Sequence, residues 1–193
     1  YWEDGRPGAS PPAATNVLVL SAKRSVALSF GTEVAQAGLS CEVLDGVPLA
    51  LARAVQLASG PGFLDQKGPV GLLDWGYRGA TFGVAIDGRP TFVRFLRGCG
   101  ISDFVERVQK TLELTLEESE SLLVSHGLPC RDQIEESLLE VQEVIAKAGK
   151  PVIDELIDQI TKSLSFLKAE SPDDLSKLPE RVWLFGGGAT IRN

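Results

Sequence analysis

Residues 74–81 read DWGYRGAT and directly follow an apolar, strand-like run. A bound phosphate needs backbone N–H groups that it can approach without interference from Cβ atoms, so glycines at a strand exit are typical of a phosphate cradle. Here Asp74 can hold a hydrated Mg²⁺ through water, and Gly76, Gly79 and the Thr81 hydroxyl can face phosphate oxygens. A hairpin turn stabilised by the Asp74 side chain explains the same pattern without a ligand.

A second glycine turn lies far downstream, where residues 181–185 predict a strand and Gly186, Gly187 and Gly188 follow it. Three consecutive glycines carry a high entropic cost, which favours the close approach of a flat ligand or a phosphate. The alternative interpretation is a tight connection from a strand to a helix. Two such turns predict one ligand held from two sides.

The sequence around the first turn predicts a β-meander followed by helices. The three strands of the meander are predicted at residues 70–74, 80–86 and 91–96. Asp87 and Gly88 form a strong hairpin-turn signal between the last two strands. Helical stretches are predicted at residues 102–114, 116–126 and 131–169. Thr115 and Glu118 form a capping box for the second helix, and Pro151 either begins a new helix or kinks a continuous one.

Upstream of the meander, the pattern predicts a small β-α-β-α unit. Its strands are predicted at residues 17–20 and 40–44, and its helices at residues 22–37 and 47–58. Gly38 ends the first helix. Residues 59–68 (SGPGFLDQKG) contain several turn formers and predict a linker. Together these elements indicate an α/β protein.

Composition narrows the possible partners and cofactors. Lys and Arg number 19 against 26 Asp and Glu, so the net charge is −7, which argues against nucleic acid and anionic membrane surfaces as partners. No apolar run approaches the roughly 20 residues that a membrane-spanning helix needs. Three cysteines without CxxC spacing and a single histidine argue against zinc and favour a reducing cytosol. Cys99, between two glycines, is predicted to be a small buried residue.

The order of these elements resembles the second half of the actin-like ATPase superfamily and, within it, the PilM family of type IV pilus assembly. Five short motifs carry this resemblance, at residues 17–22, 37–39 with 48–54, 87–90 (DGRP), 116–120 (LEESE) and 163–166 (SLSF). Because the sequence lacks methionine and begins at Tyr1, we expect a fragment without the family's first large subdomain.

The resemblance implies a partial actin-like, ribonuclease H-like ATPase fold. It assigns residues 1–59 to the remainder of a small subdomain and residues 60–69 to a linker. The second large subdomain then comprises residues 70–115 and 173–193, with a helical insertion at residues 116–172. The sequence alone supplies no catalytic residue for this fold.

The resemblance also implies cofactors, partners and a location. ATP and Mg²⁺ are the implied cofactors, with the adenosine held by the turn of Gly186, Gly187 and Gly188 and the ribose by Glu120. Leu123 stands where the family has a Lys, so one ribose contact is lost. The implied partners are the cytoplasmic tail of a PilN-type inner-membrane protein and other pilus assembly proteins. The implied location is the cytoplasm, peripheral to the inner membrane.

Two functions of different classes therefore stay open. The first is an actin-like nucleotide-binding component of type IV pilus or related secretion assembly, which couples ATP binding to partner contacts. The second is an actin-like scaffold that has lost nucleotide binding and acts only through protein–protein contacts. Tyr77 and Arg78 are bulky for a phosphate hairpin, and together with Leu123 they favour the scaffold, although Arg78 could instead contact a phosphate.

Overall fold

A computed structural model of the protein describes residues 19, 21–58, 68–129, 136–170 and 178–191, apart from the side chains of residues 136–139. The chain divides into two compact units, Tyr1–Leu44 and Asp45–Asn193. The predicted linker falls almost entirely outside the described residues, as do three of the four residues of the predicted strand at 17–20. The predicted subdomain boundaries stay predictions.

In the first unit, the predicted helix is present as α1, Arg24–Gln36. It ends in a Schellman motif, in which Gly38 adopts a φ of +77° and donates its N–H to the Ala35 carbonyl oxygen. The Leu39 N–H reaches back to the Val34 carbonyl oxygen at 3.1 Å. Glycine is favoured at this position because its lack of a Cβ removes the cost of a positive φ.

The predicted strand at residues 40–44 is wrong, since residues 39–46 have no regular secondary structure. The sequence pattern predicted a strand here, but the side chains of Val43 and Leu44 are exposed. A strand needs a neighbour to satisfy its backbone N–H and C=O groups, and the described part of this unit contains none.

The second unit is built on a four-stranded mixed sheet. Its strands are β1 Pro69–Trp75, β2 Ala80–Ile86, β3 Arg89–Leu96 and β4 Val182–Phe185. The strand order is β3-β2-β1-β4, and β1 pairs antiparallel with β2 and parallel with β4. The predicted meander is confirmed. Asp87 and Gly88 between β2 and β3 have φ values of 49° and 71°, the positive pair that a tight hairpin turn needs.

Helices cover both faces of this sheet. They are α2 Val47–Ala58, α3 Ile101–Leu112, α4 Leu116–His126 and α5 Glu136–Glu170. Successive residues of β1 point to opposite faces, so Leu73 and Trp75 join the main core with α3, α4 and α5. Leu72 lies on the other face and packs with Ala52 and Val55 of α2.

Local signals set the ends of α4. The Thr115 hydroxyl accepts the Glu118 N–H at 3.2 Å, and a Glu118 carboxylate oxygen accepts the Thr115 N–H at 2.8 Å. The predicted capping box is therefore confirmed. Hydrogen bonds from the Thr115 backbone and hydroxyl lower the pKa of the Glu118 carboxyl, since they stabilise its charged form.

The question raised by Pro151 is resolved in favour of one continuous helix, because α5 runs through this residue. Close packing near the proline explains Gly149, since a Cβ atom there would overlap the Phe104 ring of α3. Phe104 is fully buried. The helix therefore gives up helix propensity at one position in order to seat a large aromatic side chain.

We expect Gly149→Ala to lower the free energy of unfolding by about 1–3 kcal/mol, because the added methyl displaces Phe104 from a packed core. Gly31→Ala is the matched control, since Gly31 also lies within a helix but has no described atom near its Cβ position. Thermal unfolding of both variants checks this. Equal midpoints for the two variants would contradict the packing argument.

Candidate functional site

The two glycine turns lie side by side at the same end of the sheet. We define the first turn as residues 74–81 and the second turn as residues 186–190. The last pair in the parallel register of β1 and β4 is Asp74 opposite Phe185, so both turns start from the same level of the sheet. The two turns that the sequence singled out therefore lie next to each other in the fold.

The second turn packs directly onto the first. A Cβ atom at Gly186 would overlap the Asp74 carboxylate and lie 2.7 Å from the Trp75 carbonyl oxygen, and Gly186 has a φ of +79°. A Cβ atom at Gly188 would overlap the Trp75 indole. Glycine at both positions is therefore required by packing within the protein, whatever ligand the turns hold.

Gly187 differs from its two neighbours. Gly187 is exposed to solvent, and a Cβ atom there would have no described atom within 4 Å. The Thr190 hydroxyl donates to the Gly187 carbonyl oxygen at 2.8 Å, which fixes the backbone of the second turn. Packing explains the outer glycines of the triplet, whereas the middle one faces open space.

The backbone of the first turn is partly closed by its own hydrogen bonds. The Gly76 N–H, predicted to face a phosphate, donates to the Gly79 carbonyl oxygen at 3.0 Å. A Cβ atom at Gly79 would lie 2.8 Å from both the Leu96 carbonyl oxygen and the Phe95 ring. Both glycines therefore shape the turn. Within the described part of the chain, the N–H groups of Tyr77 and Arg78 have no hydrogen-bond partner.

The first turn is attached to the start of α3. The N–H groups of Ile101 and Ser102 donate to the Gly76 and Tyr77 carbonyl oxygens at 3.0 and 2.8 Å. The Ser102 hydroxyl also donates to the backbone carbonyl oxygen of Tyr77, at 2.7 Å. The first N–H groups of a helix have no hydrogen-bond acceptor inside the helix, and here two carbonyl oxygens of the first turn accept two of these N–H groups. Gly100 has no room for a side chain, because the turn backbone lies against it.

Asp74 and Thr81 stand opposite each other in the β1–β2 register, so their side chains share one face of the sheet. Both are half-buried. Because the Asp74 carboxylate is also the group nearest Gly186, it lies at the junction of the two turns. This is a suitable place for a carboxylate that holds a hydrated cation between phosphate groups.

Glu120 of α4 is brought near the first turn by Tyr77, whose hydroxyl lies 3.4 Å from a Glu120 carboxylate oxygen. Leu123, one helical turn later, is 4% exposed and belongs to the main core. Its side chain therefore packs inside the protein. Of the two helix positions considered for a sugar contact, only Glu120 faces the turn.

The remaining candidates carry little chemistry. Cys99 is fully buried, as predicted. Burial is the main cause that raises the pKa of its thiol, and the negative charges of Asp103 and Glu155 raise this pKa further. The described residues contain no cluster of three or more His, Cys, Asp or Glu side chains that could hold a metal. No described helix is long and apolar enough to cross a membrane.

Sequence reasoning missed three contributors to this site. Trp75 was part of the quoted stretch, yet no role was assigned to it. Gly100 was considered only as a neighbour of Cys99, although a glycine on either side of a residue is a signal of close backbone approach. The bond from Ser102 to the first turn joins groups 25 residues apart, and no local pattern announces it.

No protein-family model matches the chain, and no curated protein matches its sequence. Its fold, however, is similar to several solved structures. The PilM–PilN type IV pilus biogenesis complex matches with a TM-score of 0.63 and 25% identity over 88% of this chain and 43% of that one. The ethanolamine utilization protein EutJ from Carboxydothermus hydrogenoformans matches at 0.53 and 22%, over 83% of this chain and 48% of that one.

MreB5 of Spiroplasma citri, bound to AMPPNP, matches with a TM-score of 0.55 and 15% identity over 89% of this chain and 56% of that one. These structures are actin-like ATPases. The chain therefore has part of the actin-like ATPase fold, which confirms the predicted fold class. It spans 43–56% of the length of the three proteins.

Two single substitutions test the packing of the second turn. We expect Gly188→Ala to lower the free energy of unfolding by about 1–3 kcal/mol, because the new methyl meets the Trp75 ring. Gly187→Ala, one residue away, should not lower it and should raise it by up to about 1 kcal/mol, since the methyl enters open space and reduces the freedom of the unfolded chain. Urea titration of both variants measures the difference. Equal losses would show that the turns are not packed as described.

Proposed function

We propose that the full-length protein binds a nucleotide across the two turns. The observation that carries this proposal is the open position of Gly187 in the second turn, between two glycines that are closed by packing. A structure that needed glycine only for its own packing would gain from a less flexible residue at 187. The AMPPNP bound to MreB5 supports the proposal, since that protein has the same fold.

ATP with Mg²⁺ is the ligand that this arrangement fits. Asp74 holds the hydrated cation through water, and Gly76, Gly79 and the Thr81 hydroxyl form the wall that faces the phosphates. The N–H groups of Tyr77 and Arg78 are the backbone donors on that wall, and the exposed Arg78 side chain adds a cation to it.

The adenosine and its sugar would be bound by the second turn and by α4. Gly186, Gly187 and Gly188 pass beneath the adenosine, with Gly187 nearest to it. Glu120 is placed to accept hydrogen bonds from sugar hydroxyls, while the buried Leu123 makes no such contact. A Glu carboxylate alone binds the sugar hydroxyls more weakly than a Glu and a Lys side chain would together.

The biological role that we propose is assembly of a type IV pilus or a related secretion system, with ATP binding coupled to partner contacts. The PilM–PilN complex supports this role, as do the PilM-like motifs at residues 87–90 and 116–120. The proposed partner is the cytoplasmic tail of a PilN-type inner-membrane protein, alongside other pilus assembly proteins. The protein would then work in the cytoplasm, peripheral to the inner membrane.

An actin-like scaffold without a nucleotide is the second candidate. It is favoured by the internal hydrogen bond of the Gly76 N–H and by the packing roles of Gly79, Gly186 and Gly188. On this interpretation most glycines of the two turns serve the fold alone, and Tyr77 and Arg78 fill the space of a phosphate. Actin-like folds serve many functions, so the fold does not choose between the two candidates.

The test is calorimetric titration of the full-length protein with Mg-ATP. We expect a dissociation constant in the micromolar range and no detectable binding by Gly187→Asp, whose side chain brings both bulk and negative charge to the adenosine and phosphates. Because position 187 is open, this variant should melt at the wild-type temperature.

Two further variants separate the causes of any loss. Gly187→Asn adds the same bulk without the charge, so the difference between Asn and Asp measures repulsion of the phosphates. Ser165→Asp places the same charge on an exposed position of α5 and should bind like wild type. A folded wild-type protein that does not bind Mg-ATP would rule out the nucleotide proposal and leave the scaffold.

The partner is tested separately. The full-length protein is titrated with a fluorescent peptide from the cytoplasmic tail of the PilN-type protein of the same organism, with and without Mg-ATP. We expect specific binding that a scrambled peptide does not show, and a different affinity in the presence of the nucleotide. Equal affinity for the two peptides would exclude this partner.

A further inference from the structure

We infer that Trp75 is a positioning residue that holds the two turns at the distance a nucleotide needs. This inference rests on the proposed function and goes beyond it, because Trp75 lies beneath the ligand surface rather than on it. The side chain is 7% exposed. It is both the last residue of β1 and the second residue of the first turn, so its backbone is part of that turn.

Trp75 contacts three separate parts of the site. Its indole fills the space where Gly188 would carry a Cβ, which places the second turn. Its Nε1–H donates to the Cys99 carbonyl oxygen at 2.7 Å, which places the loop before α3. Its ring meets Phe104 edge to face, with 6.4 Å between ring centroids. One rigid side chain therefore sets the positions of both turns relative to α3.

The chemistry of these contacts requires tryptophan. Phenylalanine has no N–H, so the buried Cys99 carbonyl would lose its donor, which costs more than the bond itself is worth. Two of the three atoms nearest to the Gly188 Cβ position, Cε3 and Cδ2, belong to the six-membered ring of the indole, and a phenylalanine ring would not fill the same volume. The second turn would then lose the surface against which Gly188 packs, and its spacing from the first turn would change.

Trp75→Phe in the full-length protein tests the inference. We expect the dissociation constant for Mg-ATP to rise at least about tenfold, because the two halves of the ligand are no longer held at the right spacing. The matched control is Val152→Ala, which also removes buried volume from the main core but lies on α5. It should melt at a lower temperature and bind Mg-ATP like wild type.

A spectroscopic measurement separates positioning from general stability. The protein is labelled with 5-fluorotryptophan, and the ¹⁹F resonance of Trp75 is identified as the one that remains when the other tryptophans are replaced by Phe. Because the indole lies beneath Gly188, we expect Mg-ATP to shift this resonance. A merely structural core residue would show no shift. This readout also decides the matter if the variant does not fold.

The possible outcomes are distinct. A shifted resonance with a larger affinity loss in Trp75→Phe than in Val152→Ala supports the positioning role. If wild type binds Mg-ATP, but the resonance stays in place and the two variants bind equally well, the positioning role is wrong and the nucleotide site stands. If folded wild type does not bind, both proposals fail together.

Discussion

The buried hydrogen bond from the Trp75 indole to the Cys99 carbonyl is the interaction on which the rest of the site depends. It joins the end of β1 to the loop before α3, and the first turn then completes that junction by capping the helix. A bond of this kind is strong where water is excluded and costly to break on one side only. The position of the first turn is therefore determined by the core. The same packing determines where the Asp74 carboxylate and the tip of the turn lie.

Much of the fold was predictable because its signals are local. The signals for the three meander strands, the Asp87-Gly88 turn and the Thr115–Glu118 capping box each act over a few residues, and all three are confirmed. The strand at residues 40–44 was wrong because a strand depends on a neighbour, which a local pattern cannot supply. The path of α5 through Pro151 was left open for a similar reason, since packing by distant residues decides it.

The candidate site was predictable in outline and not in detail. Glycine at a strand exit indicated two turns, and their adjacency follows from the parallel pairing of β1 with β4. The sequence could not separate glycines required by packing from the one that is not, because that distinction depends on what lies opposite each Cβ position. Gly188 meets an indole from 113 positions earlier in the chain, whereas Gly187 meets nothing described.

The glycine triplet therefore contains two kinds of evolutionary constraint. At positions 186 and 188 a sequence that keeps Asp74 and Trp75 must also keep glycine, because a side chain there would collide with these two residues. Position 187 is free of that demand, so a lineage that no longer used a ligand could accept alanine or serine there by drift. Comparing the substitution rate at position 187 with the rates at positions 186 and 188 would then distinguish members of the lineage that bind the ligand from members that have lost it.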